Sequence, residues 1–152
     1  RPQHPPGRRR EAVDPAGAGG SARLTGLGWD RVDPRPVSSD LEAYRGFVLG
    51  SRGEFTVAKD LYVRPRSGWF SDRSVCYLAA GLPAVIQDTG YSRCVPCGEG
   101  LLAFSSLEEA ASGIERVEAD YPRHQRAARA LAEAHFDSGR VLAELLERVG
   151  LG

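Results

Sequence analysis

The sequence predicts an α/β domain in which a parallel β-sheet is covered by helices on both faces. Short apolar runs alternate with amphipathic helical patterns, and two of these runs are continuously apolar, as buried strands are. Polar turn residues follow most of the runs. Connections between parallel strands are usually helices, and such sheets bind ligands beyond the carboxyl ends of their strands.

Composition limits the classes of protein to which the chain can belong. Its 152 residues are 41% hydrophobic and 26% charged, which is ordinary for one globular domain. The net charge of zero gives no electrostatic reason to expect nucleic acid as a partner. No apolar run could span a bilayer, and no secretory signal or disulfide framework is evident. We therefore expect a cytoplasmic protein without a membrane span.

The amino-terminal segment differs from the remainder. Residues 1–27 contain four of the ten prolines, few large apolar residues and the basic run Arg8–Arg10. We predict a disordered leader over 1–27 and a folded domain over 28–152. A basic arm for nucleic acid is a weaker alternative. Because the chain starts at Arg1 and lacks methionine, we expect it to be a fragment.

The first predicted helix begins at a capping box, Ser39–Glu42, and ends at Gly50. The β-forming residues Glu54–Ala58 predict a strand. Ser71 or Asp72 then caps a helix that runs to Ala80, with Gly81 as its left-handed end.

The carboxyl-terminal half predicts two buried strands and three helices. The strands are Ala84–Gln87 and Leu101–Phe104. A second capping box, Ser106–Glu109, opens the next helix. Pro122 suits the first turn of another helix, and Asp137 or Ser138 caps the last one.

The segment Ser67–Ser74 is a polar, glycine-containing loop that leads directly into a helix. A helix N-terminus has free amides and a partial positive charge, so it can hold a phosphate. Arg73 adds a planar donor suited to phosphate oxygens. The alternative is that Ser71 and Asp72 only cap the helix while Arg73 pairs with a local carboxylate.

Placing these segments at the carboxyl edge of a parallel sheet gives a set of candidate binding residues. The set contains cations, loop glycines and turn residues: Lys59, Gly68, Ser71, Asp72, Arg73, Ser74, Asp88, Thr89, Gly90, Glu99 and Gly100.

Four runs of sequence carry a resemblance to a known family: Gly53–Lys59, Arg66–Ser74, Cys76–Pro83 and Gln87–Gly90. A fifth run, Gly98–Phe104, continues it. Together they resemble the C-terminal domain of bacterial glycosyltransferases of the GT-B fold, in the group 1 or glycosyltransferase-like branch. The resemblance extends over about two-thirds of the chain.

The resemblance implies a Rossmann-like domain that binds a nucleotide-diphosphate sugar in a cleft facing a missing N-terminal domain. That domain would carry the acceptor site, so the fragment alone would not catalyse transfer. Many such enzymes need neither metal nor cofactor, because helix amides and basic side chains neutralise the leaving diphosphate. The resemblance assigns this task to Arg73 and the amides of Ser71–Ser74, with Lys59 as a second cation.

One departure from the family pattern concerns two glutamates that many retaining relatives carry eight positions apart. Gly68 and Cys76 occupy those positions here. Either other residues, such as Glu54 or Asp72, replace the glutamates, or donor binding has changed. The catalytic residues and the stereochemical course therefore stay open.

Trp69 and Phe70 could stack on a base or sugar, or pack against the missing domain. An isolated half-domain would expose Trp69, Phe70 and Tyr91, which predicts self-association.

The cysteines and histidines indicate little chemistry. Cys94 and Cys97 have redox or half-zinc spacing, but no second ligand pair exists. We expect Cys76 in the core, and His124 and His135 on solvated helix faces.

Three hypotheses follow. The chain is the donor domain of a glycosyltransferase, a non-catalytic binding or interaction module with the same fold, or a doubly wound domain with another nucleotide ligand.

Overall fold

The computed structural model describes residues 10–13 and 29–151, and its chain divides into two compact units, Arg1–Ser51 and Arg52–Gly152. In the first unit, strand β1 (Arg10–Val13) pairs in parallel with β2 (Trp29–Val32). The prediction of a leader without regular structure did not anticipate β1, because average composition cannot reveal a four-residue strand. The rest of that leader lies outside the described residues.

Two helices follow β2 in the described part of the first unit. Helix α1 (Pro34–Val37) begins after Asp33, and helix α2 (Leu41–Gly50) begins after Asp40. The Asp40 carboxylate accepts a hydrogen bond from the Ala43 amide at 2.8 Å. The N-cap is therefore one residue later than the predicted Ser39, whose hydroxyl instead donates to the Pro36 carbonyl.

The second unit is a three-stranded parallel sheet flanked by helices, arranged in a Rossmann-like manner. Its strands are β3 (Glu54–Thr56), β4 (Ala84–Gln87) and β5 (Leu101–Phe104), in the order β3-β4-β5. Ala84 lies opposite both Glu54 and Leu101. Its helices are α3 (Asp60–Val63), α4 (Asp72–Ala79), α5 (Leu107–Ala119), α6 (Tyr121–His135) and α7 (Ser138–Arg148).

One face of this sheet packs against α5. Val85, Leu102 and Phe104 form an apolar cluster with Ala110 and Val117 of the helix. At Gly113 a Cβ atom would lie 3.3 Å from Val85, so the helix backbone approaches the sheet closely. The Ser106 hydroxyl accepts from the Glu109 amide, which confirms the predicted cap of α5.

The opposite face packs against α4 and α6. Ala84, Ile86 and Leu101 contact Leu78 of α4 and the α6 residues around Ala128. Neighbouring residues on β4 and β5 thus point to opposite faces, as the pleat requires. Both faces are covered, which confirms the predicted α/β architecture and explains why the two strands are apolar except for Gln87 at the end of β4.

A glycine and a histidine join α6 to the start of β5. Gly100 has a φ of +73°, and a Cβ atom there would lie 2.3 Å from the Ala128 nitrogen. The Gly100 amide donates to Nδ1 of His124 at 3.1 Å. His124 is buried, so its predicted position on a solvated face is wrong, whereas His135 is exposed as predicted. The 3.6-residue period places His124 on the same face as the core residues Ala128 and Leu131.

Candidate binding site

Two loops meet at the carboxyl edge of the sheet. One precedes α4 and contains Gly68 and Trp69, and the other follows β4 and contains Asp88 and Thr89. The Gly68 amide donates to the Thr89 carbonyl at 2.9 Å, and the Thr89 hydroxyl donates to the Trp69 carbonyl at 2.6 Å. These reciprocal bonds hold the loop before α4 at the end of β4.

Asp88 is the polar centre of the second loop. Its carboxylate accepts from the Gly90 amide at 2.8 Å, the Ser92 hydroxyl at 2.9 Å and the Arg66 guanidinium at 3.0 Å. Burial raises the pKa of Asp88, but the hydrogen bonds from Gly90 and Ser92 and the charge of Arg66 outweigh it, and the net pKa is lowered. Asp88 is thus an ionised group that fixes the loop, with its oxygens already occupied.

The glycines of these loops have different roles. Gly90 has a φ of +101°, and a Cβ atom there would lie 2.9 Å from the Arg66 carbonyl oxygen. Gly90 therefore permits the close approach of the two loops. Gly68 has a φ of +76° but open space around it, so only its backbone conformation favours glycine.

The first turn of α4 partly satisfies its own polar groups. The Asp72 carboxylate accepts from the Arg73 amide at 2.8 Å, so it occupies one donor that an anion would need. Ser71 is the N-cap, but its side chain makes no capping bond. The sequence left two alternatives for this segment, a phosphate site or a plain helix cap. Asp72 fits the helix cap in part, because its carboxylate lies at the start of α4 and accepts a hydrogen bond from the first turn.

Arg73 pairs with a local carboxylate, as the simpler alternative predicted. Its Nε donates to Oε1 of Glu54 at 2.7 Å, and its Nη2 donates to the Thr56 hydroxyl at 2.9 Å. The Glu54 side chain is 5% exposed and that of Arg73 is 48% exposed. A half-exposed guanidinium therefore covers a buried carboxylate on β3.

Two buried polar atoms next to Arg73 have no hydrogen-bond partner within the described residues, Oε2 of Glu54 and Oγ of Ser74. Ser74 is fully buried on α4. Buried polar atoms are almost always hydrogen-bonded, to protein or to ordered water. Glu54 is the ion-pair partner of Arg73, and Ser74 is the next residue of α4, so both buried side-chain atoms belong to residues that adjoin this arginine.

The aromatic residues near the start of α4 are only partly exposed to a ligand. Trp69 is 39% exposed and stacks on Tyr62, with ring centroids 4.7 Å apart. Phe70 packs between Tyr91 and Phe136. Tyr91 is 1% exposed and donates to the Ile86 carbonyl, so its predicted exposure is wrong. Of Trp69, Phe70 and Tyr91, Trp69 is the most exposed.

The structure does not bring all predicted site residues together. Lys59 is exposed immediately before α3, beyond the carboxyl end of β3. Glu99 and Gly100 precede β5 and therefore lie at the amino edge of the parallel sheet, opposite the other candidates. Glu99 pairs with Arg123, whose hydrogen bond lowers the pKa of that carboxyl group. These two residues pack the sheet against α6.

Sequence reasoning missed three residues that shape this edge. Thr56 and Arg66 carry no local motif, and their partners Arg73 and Asp88 are 17 and 22 positions away. Ser92 follows a glycine turn and could have been found as a partner of Asp88, because aspartate often bonds to nearby backbone and hydroxyl groups.

A groove of about 500 Å³ lies elsewhere in the second unit, beside β5 and α5. Two of its charged side chains are already engaged, since Glu109 accepts from the Ser105 amide and Arg116 donates to the Gly98 carbonyl. The groove contains none of the predicted site residues. Geometry alone therefore does not favour it over the carboxyl edge.

The cysteines are all free and exposed, so the prediction that Cys76 lies in the core is wrong. It lies on the side of α4 that faces away from the sheet. Burial around the sulfur raises the pKa of Cys97 to about 11, which disfavours the reactive thiolate. Within residues 10–13 and 29–151, no group of three or more potential ligands is placed to hold a metal ion.

Comparisons with protein-family models, with curated proteins and with solved structures find no match to this chain. Among the described helices, none combines the length and apolar character that crossing a membrane requires.

Proposed function

We propose that this chain binds a nucleotide-diphosphate sugar at the carboxyl edge of its three-stranded sheet, as the donor-binding part of a glycosyltransferase. The observation that carries the proposal is the start of α4. There a loop held by Thr89 leads into a helix N-terminus that carries a half-exposed arginine. The sequence resemblance to GT-B C-terminal domains points to the same segment.

In this proposal the diphosphate lies against the first turn of α4. Backbone amides and the positive end of the helix dipole neutralise part of its charge. The exposed Asp72 carboxylate must turn away, because it occupies the Arg73 amide and would repel the ligand. Lys59 supplies a flexible cation, and the exposed face of Trp69 supplies a stacking surface for a base or sugar.

Arg73 acts in this scheme while it remains paired with Glu54. The pair is nearly neutral as a unit, so the guanidinium supplies hydrogen-bond donors and a directed dipole rather than a full net charge. Glu54 is buried beneath Arg73 and does not replace the missing glutamates at Gly68 and Cys76. The acceptor site and the transfer chemistry would belong to a separate N-terminal domain.

The same contacts favour a second candidate, a non-catalytic binding or interaction module. Asp72 and Glu54 already satisfy much of what a diphosphate would otherwise use. In a domain that no longer binds a nucleotide sugar, such internal hydrogen bonds would replace those to the ligand. A module that only binds a protein partner would not be stabilised by any nucleotide, whereas the donor-binding domain would be stabilised by a nucleotide sugar.

Thermal unfolding of the 152-residue chain with UDP-, GDP-, ADP- and TDP-sugars, and with the free nucleotides, tests the proposal. A ligand at 100 times its dissociation constant stabilises the folded state by about 2.7 kcal/mol. We expect one nucleotide family to raise the melting temperature, and Lys59→Ala and the double variant Glu54→Gln/Arg73→Ala to reduce the effect. The double variant removes both charges, so no unpaired buried carboxylate remains.

Arg123→Ala is the matched control, because it breaks another Arg–Glu pair at the opposite edge of the sheet. It should leave the ligand effect intact. Stabilisation by free nucleotides but by no nucleotide sugar would indicate a different nucleotide ligand. The absence of any stabilisation would overturn the proposal and favour the non-catalytic module.

A further inference from the structure

Helix α7 carries an apolar stripe that the second unit leaves uncovered. Val141, Leu142, Leu145, Leu146 and Val149 are each between 45% and 59% exposed, and no residue of α7 is buried. Their spacing of three and four residues places all five on one side of the helix. Five half-exposed aliphatic side chains in one stripe are typical of a surface that meets a partner.

The borders of the stripe differ. At 100° per residue, Gly139 and Ala143 lie along one border, and Glu144 and Arg148 lie along the other. Glu144 and Arg148 are one turn apart and form an ion pair. The described residues of α7 carry two arginines and two glutamates, so the helix has no net charge. A membrane surface would favour a basic polar face, which α7 lacks.

We propose that α7 pairs with α7 of a second copy of the chain in an antiparallel arrangement. In an antiparallel pair each border faces the same border of the partner. Glu144 of one helix therefore faces Arg148 of the other, and the two-fold axis repeats this pair of opposite charges. A parallel pair would set this charged border against Gly139 and Ala143, where no opposite charge is available.

The size of the stripe sets the strength of the contact. Two such stripes bury on the order of 800–1,000 Å² in total, which is in the range of weak and transient contacts rather than of stable dimers. We therefore expect a reversible dimer with a dissociation constant of roughly 1–100 µM. The stripe shares no residue with the candidate site at the carboxyl edge, so substitutions can address dimer formation and ligand binding separately.

Sedimentation equilibrium of the full chain over a concentration range that brackets this constant tests the proposal. We expect a monomer–dimer equilibrium that Leu145→Glu weakens by about 100-fold, because the substitution occurs twice in each dimer at about tenfold each. Leu145 is exposed in the monomer, so the circular dichroism spectrum should stay unchanged. Leu107→Glu is the matched control, since Leu107 is an exposed leucine on α5 outside the stripe.

Charge reversal tests the antiparallel arrangement. Glu144→Arg should weaken the dimer by about tenfold, and adding Arg148→Glu should restore it, because opposite charges again face each other. A chain that stays monomeric throughout, or equal weakening by Leu107→Glu and Leu145→Glu, would overturn the proposal. A dimer that Glu144→Arg leaves unchanged would refute the antiparallel pairing.

Discussion

Replacing Gly100 by alanine tests whether this glycine packs the sheet against α6 rather than lining a binding cleft. The new Cβ atom would lie 2.3 Å from the Ala128 nitrogen and 2.6 Å from its Cα. Ordinary contact begins at 3.4 Å, so the α6 backbone would have to move by about 1 Å. The Gly100 amide would then lose its favourable geometry toward His124.

The expected cost has two parts. A left-handed conformation costs an L-residue about 1–2 kcal/mol, and overpacking against backbone costs about 1–3 kcal/mol. Gly100→Ala should therefore destabilise the second unit by about 2–5 kcal/mol, a large share of the 5–15 kcal/mol typical of a domain. Gly68→Ala shares the positive φ but has open space, so it should cost only about 1–2 kcal/mol.

Urea unfolding followed by circular dichroism measures both free energies of unfolding. We expect Gly100→Ala to lower the free energy of unfolding more than Gly68→Ala does, by about 1–3 kcal/mol. Equal losses of unfolding free energy would show that the α6 backbone is not in close contact with Gly100. The packing role given to this residue would then be refuted.

Two further predictions concern buried polar groups. His124→Ala removes the acceptor of the Gly100 amide and leaves a cavity, so it should cost about 2–4 kcal/mol in urea unfolding, whereas the exposed His135→Ala should cost almost nothing. Asp88→Asn should cost about 1–2 kcal/mol at neutral pH. The pKa of Asp88 is lowered below 3.8 in the folded protein. The ionised carboxylate therefore stabilises the folded state above about pH 3.8, and this stabilisation is lost as the pH falls through the folded-state pKa. Urea unfolding of both proteins along a pH series should therefore show the difference shrinking in acid, and a constant difference would contradict the ionic role of Asp88.

Local sequence signals anticipated most elements of the second unit. Apolar runs predicted β4 and β5, and Gly81 and Ser106 marked helix ends correctly, because these signals act through neighbouring residues. The single-turn helices α1 and α3 have too few residues for a helical period to show. Strand β1 was missed for a similar reason.

The candidate site was less predictable, because its contacts join distant parts of the chain. The pairing of Arg73 with Glu54 spans 19 positions, and nothing near Arg73 distinguishes that partner from a phosphate. Glu99 and Gly100 were placed on the wrong edge although they directly precede the predicted strand Leu101–Phe104. In a parallel sheet, residues that precede a strand lie at its amino edge, so the sequence already contained the information that corrects this prediction.

Mapping the bound ligand onto the chain shows whether it lies at the start of α4. We would record amide proton–nitrogen correlation spectra of the isotope-labelled chain while titrating the nucleotide sugar that gives the largest thermal shift. We expect the affected amides to cluster at Gly68–Ser74 and Asp88–Gly90, with Gly100 and the α7 stripe unchanged. Changes confined to Gly98–Gly100 or to α5, or none at all, would contradict the proposed site at the start of α4.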